Sequence, residues 1–64
     1  MTAKFYFKEK ANTKIGEMLI NDFKSMEVIE STDQTILVSV NEIRLVECEL
    51  LRFFAQPINV EIIE

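Results

Sequence analysis

The sequence predicts an α+β protein, a small two-layer βαββαβ sandwich in which a four-stranded antiparallel sheet carries two helices on one face. Three observations predict it. The hydrophobic period along the 64 residues switches in a fixed order between two and about 3.6, so that strand, helix, strand, strand, helix and strand follow one another with almost nothing left for loops. Residues whose side chains satisfy turn backbone cluster at Ser31-Thr32-Asp33-Gln34-Thr35, between the second and third strands. The only proline, Pro57, falls where the second helical pattern stops.

Lys4-Phe5-Tyr6-Phe7-Lys8 alternates as a strand with one buried face does. Glu9 to Thr13 breaks that period. Asn12 or Thr13 is placed to cap the first helix, and Glu17 sits in the first turn, where the helix dipole favours an anion. Ile15, Met18, Leu19, Phe23 and Met26 share one helix face, the expected buried one, whereas Glu17, Asn21, Lys24 and Ser25 take the other. Gly16, the only glycine, is expected to weaken this helix slightly.

Val28-Ile29 opens the second strand, and a hairpin leads to a third in which Ile36, Val38 and Val40 alternate with Leu37 and Ser39. Ser39 or Asn41 is placed to cap the second helix, and Glu42 three residues after Ser39 matches a capping box. At about 100° per residue, Ile43, Val46, Leu50, Phe53 and Phe54 form one continuous face with Leu51 at its shoulder. Arg44, Cys48, Glu49 and Arg52 lie opposite. A hairpin turning at Asn41-Glu42 competes over a short window, but a strand through Leu50 to Phe54 would put the two phenylalanines on opposite faces, so helix is expected. Pro57 ends it and biases Gln56 toward extended geometry. Ile58, Val60 and Ile62 then alternate with Asn59, Glu61 and Ile63 as the last strand. The whole order resembles the split βαβ, or ferredoxin-like, plan.

A chain of this length is expected to form one domain, residues 1 to 64, and buries only about 60% of the surface its unfolded form exposes. Cys48 is the lone cysteine and there is no histidine, so neither a disulfide nor a zinc site can reinforce it, and no cofactor is expected. With 48% hydrophobic residues, the chain is more apolar than so small a core easily absorbs. Association is therefore expected, with a second copy as a homodimer, with a larger protein, or with both.

With the helices on one side, Phe5, Phe7, Ile36, Val38, Val40, Ile58, Val60 and Ile62 are expected to point into the core. The other side would display Lys4, Tyr6, Lys8, Leu37, Ser39, Asn59, Glu61 and Ile63. Tyr6, Leu37 and Ile63 give that open face an apolar centre, with Lys4, Lys8 and Glu61 around it, and form the candidate partner-binding surface. Leu45, on the polar side of the second helix, is a second candidate spot.

Several function classes are disfavoured. There is no histidine for base catalysis near neutral pH, no glycine-rich phosphate cradle and no nucleophile beside a base, so no enzyme is expected. Glu47 and Glu49 flank Cys48 and disfavour its reactive thiolate. Asp33 stands alone in the only turn that could offer a cation oxygen ligands. The element order is shared with RNA-recognition modules, and Tyr6 occupies a base-stacking position. However, the third strand has no aromatic and the net charge of −4 repels phosphate, so no nucleic acid is expected. No apolar run approaches the roughly 20 residues that span a bilayer, and Met1 to Lys10 lacks a signal-peptide core, so no membrane role is expected. A lone thiol fits a reducing compartment, and a complete, leaderless cytoplasmic product is expected.

Two functions follow. The first is a non-enzymatic interaction module that binds, and by binding inhibits, a larger protein. In size and acidity the chain resembles small phage and mobile-element proteins that act in this way. The second rests on element order, which also resembles the ACT domain. That resemblance implies a dimer sensing a small molecule at the loop after the first strand, here Glu9-Lys10-Ala11-Asn12-Thr13, which lacks the glycine usual in such loops.

Overall fold

In β1 (Thr2–Tyr6), Ala3 and Phe5 are buried while Thr2, Lys4 and Tyr6 are half-exposed, the alternation that one covered face imposes. β3 (Thr35–Val40) repeats it, with Ile36, Val38 and Val40 buried. The computed structural model describes residues 1–63 and adds β2 (Met26–Ser31), β4 (Asn59–Ile62) and two helices, α1 (Lys10–Asp22) and α2 (Leu45–Leu50). α2 runs directly into a wider π-helical turn, Leu51–Ala55. The strands form one sheet in the order β2-β3-β1-β4, every pair antiparallel. Phe5 stands opposite Ile36 on one side and Val60 on the other, and Lys4 stands opposite Leu37 and Glu61. Both helices cover the Phe5 side, as the ferredoxin-like plan requires.

α1 departs from its expected limits and orientation. It starts at Lys10 after an extended Glu9 and has no side-chain cap. Asn12 and Thr13, expected as caps, lie within the helix and bond across the fold: the Asn12 side-chain amide donates to the Ala55 carbonyl at 3.1 Å, and the Thr13 hydroxyl to the Asp33 carbonyl at 2.8 Å. Thr13, Gly16 and Ile20 face inward, with Leu19 and Phe23 partly buried, whereas Ile15 and Met18 are exposed. The reason is at Gly16, where a Cβ would lie 2.8 Å from Phe7 Cζ and 3.3 Å from Ile36 Cδ1. The glycine lets the helix backbone settle on the sheet, and this close approach outweighs its propensity cost. Met26 belongs to β2 rather than α1, and Ser25, expected on the polar face, is fully buried.

α2 departs further. Ser39 stays in β3, so no Ser39-Glu42 capping box forms, and the helix starts after Arg44 without a side-chain cap. Leu51 and Ala55 face the core, Cys48 packs against it, and Glu47 is half-buried. Ile43, Val46, Leu50, Phe53 and Phe54, expected inside, are all exposed. Gln56 is not extended: it takes left-handed geometry (φ 52°, ψ 59°), and its N–H donates to the Leu51 carbonyl at 3.2 Å, closing the wide turn before Pro57. Ile58, Val60 and Ile62, also expected in the core, are exposed. The π-helical turn packs on α1 rather than on β4, so the helix-side face of that edge strand is left uncovered.

Candidate protein-interaction surface

The rotation of α2 is set by a polar contact. The Glu47 carboxylate accepts hydrogen bonds from the Ser25 hydroxyl and from the backbone N–H groups of Lys24 and Ser25, the latter two at 3.3 Å each. It thereby satisfies the chain as it leaves α1 for β2. The Ser25 hydrogen bond is the main influence holding the Glu47 carboxyl below the usual carboxylate range; partial burial opposes it, and the two amides and the Arg44 charge add to it. Glu47, Leu51 and Ala55 are spaced four apart and form the inner row. In the π-helical turn each residue rotates through less than an α-helical step, which keeps Ala55 in line with Leu51.

With that row inward, the large apolar side chains point outward. Leu45 is 77% exposed, Val46 72%, Phe53 77% and Phe54 55%, with Leu50 at the margin. The rings of Phe53 and Phe54 meet edge to face, with centroids 5.6 Å apart. Leu45, Val46, Leu50 and Phe53 line a shallow depression of about 360 Å³. Ile15, on the same row of α1 as Asn12 and hence on the flank turned toward Ala55, is 40% exposed. The exposed apolar area of this stripe is on the order of 600 Å², the upper end of what a lone monomer ordinarily shows.

A second apolar surface lies between α2 and β4. It is a cleft of about 370 Å³ walled by Ile43, Cys48 and Arg52 on one side and by Val60, Ile62 and Met1 on the other, with Phe5 and Leu51 also lining it. An exposed ion pair, Arg52 to Glu49 at 3.3 Å, separates the cleft from the outer stripe.

The open face of the sheet is different in character. Tyr6 donates its hydroxyl to Glu61 Oε1 at 2.8 Å, and Lys4 Nζ sits 5.4 Å from the Tyr6 ring centroid. The Glu61 hydrogen bond, with smaller help from burial and from the Glu61 charge, raises the Tyr6 pKa above its ordinary 10.0. Tyr6, Lys4 and Glu61 are thus brought together, and Leu37, half-buried, stands opposite Lys4. By register Glu27 and Glu30 share this face, opposite Ser39 and Leu37. Lys8 is exposed just beyond β1 and Ile63, 45% exposed, just beyond β4. Leu45 belongs to the other side of the molecule, where Val46, Leu50, Phe53 and Phe54 join it. Sequence periodicity grouped those four residues correctly but turned them inward. The signal for the reverse was the small residues Cys48 and Ala55, which allow a closer helix approach than Phe53 or Phe54 does.

Among the described residues, no group of three His, Cys, Asp or Glu side chains is gathered to hold a metal ion, and no helix is long and apolar enough to cross a membrane. No family model, curated protein or solved structure matches the chain. The outer stripe is apolar, with charge only at its margins.

Proposed function

We propose that the protein is a non-enzymatic interaction module that docks the outer stripe of α2 and the π-helical turn into an apolar groove of a larger protein. The observation that carries this reading is the placement of Leu45, Val46, Phe53 and Phe54, each more than half exposed on one helical segment whose rotation is fixed by Glu47. A helix bearing apolar anchors at this spacing suits a groove, and the net charge of −4 favours a groove with a basic rim. Binding inhibits the partner where that groove is the one the partner works through.

The test compares capture of a partner by three forms of the chain. Leu45→Asp with Phe53→Asp should abolish capture and leave the circular-dichroism spectrum unchanged, because neither side chain belongs to the core. Tyr6→Ala with Leu37→Asp should retain it. The reverse result, capture lost only with the open-face pair, transfers the site to the sheet and overturns this reading.

The cleft between α2 and β4 supports a second reading, a small-molecule sensor acting as a dimer, with the ligand in the cleft rather than at Glu9 to Thr13, of which Lys10 to Thr13 form the first turn of α1 and not a loop. Its volume of about 370 Å³ falls in the range of ligand pockets, and its lining is mostly apolar. Saturable binding of a small apolar ligand that shifts the Val60 and Ile62 amide resonances would support it.

A further inference from the structure

The two edges of the sheet are finished differently. β2 carries a bulge between Val28 and Glu30, with Glu27 and Glu30 along its length, and both devices discourage strand addition. β4 has neither bulge nor proline within Asn59–Ile62. Its one acidic side chain, Glu61, is engaged by Tyr6. The Ile63 N–H donates to the Thr2 carbonyl at 2.8 Å, so in the register of Ala3 with Ile62 the odd-numbered residues of β4 exchange bonds with β1. The N–H and C=O groups of Val60 and Ile62 then point out of the edge. The side chains of the same two residues stand on the helix side, 45% and 62% exposed, where they line the cleft.

We propose that β4 pairs antiparallel with β4 of a second copy across a two-fold axis, joining two four-stranded sheets into one of eight strands. The sequence selects the register. Pairing Val60 with the partner's Val60 uses the free backbone groups of Val60 and sets Glu61 opposite the partner's Asn59 and Ile62 opposite the partner's Ile58, which meets it through its side chain, since the Ile58 N–H is already donated to the Tyr6 carbonyl at 2.8 Å. Pairing Val60 with the partner's Ile62 would instead set Glu61 against the partner's Glu61, like charges directly opposed. Met1, Ile43, Ile58, Val60 and Ile62 expose roughly 500 Å² of apolar side chain, which with the strand edge approaches the ~800 Å² per partner of a standard interface. Leu45 and Phe53 do not line the cleft, so this inference is independent of the docking stripe and leaves the stripe free in the dimer.

Sedimentation of the full chain should give twice the chain mass. Val60→Lys with Ile62→Lys, inward-facing charges on the edge, should raise the dimer dissociation constant at least tenfold while partner capture by the stripe persists. In a Cys48→Ser background, Val60→Cys should cross-link under oxidation and Glu61→Cys should not, since only a central Val60 pair brings like positions to the ~5.5 Å of a hydrogen-bonded pair. Hydrogen exchange at the Val60 and Ile62 amides should slow as protein concentration rises, a measurement that needs no substitution. Three results each overturn the inference: a wild-type chain that sediments as a monomer, edge amides whose exchange ignores concentration, or a dimer broken only by Leu45→Asp with Phe53→Asp. That last result would place self-association on the stripe itself, so it also separates failure of this inference from failure of the docking reading.

Discussion

α1 and the α2 segment cover the same face of one sheet, yet they spend their apolar residues in opposite ways. α1 approaches through Thr13 and Gly16, buries Ile20 completely, and leaves only Ile15 and Met18 exposed among its large apolar side chains. The α2 segment approaches through Cys48, Leu51 and Ala55, is fastened by Glu47, and leaves Leu45, Val46, Leu50, Phe53 and Phe54 outside. The difference teaches that in a core this small the face that can come closest goes inward, whether or not it is the most apolar face. For α1 the surplus left outside is slight. For α2 it is large enough to be a contact surface.

The sharpest way to break that comparison is to truncate one residue from each side of the α2 segment. Leu51→Ala removes a side chain that is 1% exposed and should cost about 3 kcal/mol, whereas Phe53→Ala, at 77% exposure, should stay within about 0.5 kcal/mol of wild type. Urea denaturation of both variants measures this. A larger loss at Phe53 than at Leu51 would mean that the segment is turned the other way, with the phenylalanines in the core.

Next in size is the close approach of α1. Gly16→Ala gains helix propensity but drives a methyl into the Phe7 ring at 2.8 Å, and Phe7 is itself buried at 2% exposure. The net loss should be about 1 kcal/mol. The same substitution in a Phe7→Leu background should cost less, since the obstructing ring atom is gone, and a double-mutant cycle reads the coupling. Strict additivity would mean that the helix gives way elsewhere and that Gly16 does not set its depth.

The strands were legible in the sequence because alternation has one meaning: Phe5 and Ile36 must share a face, and they do. The helices were legible as helices but not in rotation. Periodicity groups Ile43, Val46, Leu50, Phe53 and Phe54 without saying whether sheet, partner or solvent receives them. The role of Gly16 was hidden because propensity counts the missing side chain as a loss, whereas here its absence is the contact. Of the proposed stripe the sequence singles out only Leu45 as an exposed contact; Tyr6 and Leu37 lie on the open face, half-buried, with Tyr6 bonded to Glu61. Gln56 was misread because the residue before a proline ordinarily avoids helical geometry, while the π-helical turn needs a left-handed residue to end it. Replacing that residue tests the explanation directly. Gln56→Gly should stabilise the protein by about 0.5–1 kcal/mol, because glycine adopts φ of 52° without steric cost, and a lower urea midpoint would show that the side chain contributes something the geometry does not.

The finest difference between the two helices is in their ionisable contacts. Those of α1, Lys10 with Asp33 at 4.0 Å and Glu17 with Ser31 at 3.5 Å, are exposed, whereas the contact of Glu47 in the α2 segment with Ser25 is partly buried, and the acid dependence of stability should isolate it. In the folded chain the Glu47 carboxyl is held below its ordinary value of 4.5, chiefly by the Ser25 hydroxyl. A carboxyl depressed on folding contributes stability that is fully present above its unfolded value and is lost as pH falls through its folded one. The contribution therefore persists at neutral pH and fades below about pH 4.5, when the carboxylate takes up a proton and becomes a weaker acceptor for Ser25 and Lys24. Glu47→Gln should lower the urea midpoint at pH 7, and its deficit relative to wild type should shrink on acidification through that window. Ser25→Ala, which removes the largest cause of the depression, should flatten the same acid limb while leaving the helix in place. A deficit that stays constant from pH 7 to pH 3 would show that Glu47 acts through its shape alone, and the rotation of α2 would then rest on Leu51 and Ala55.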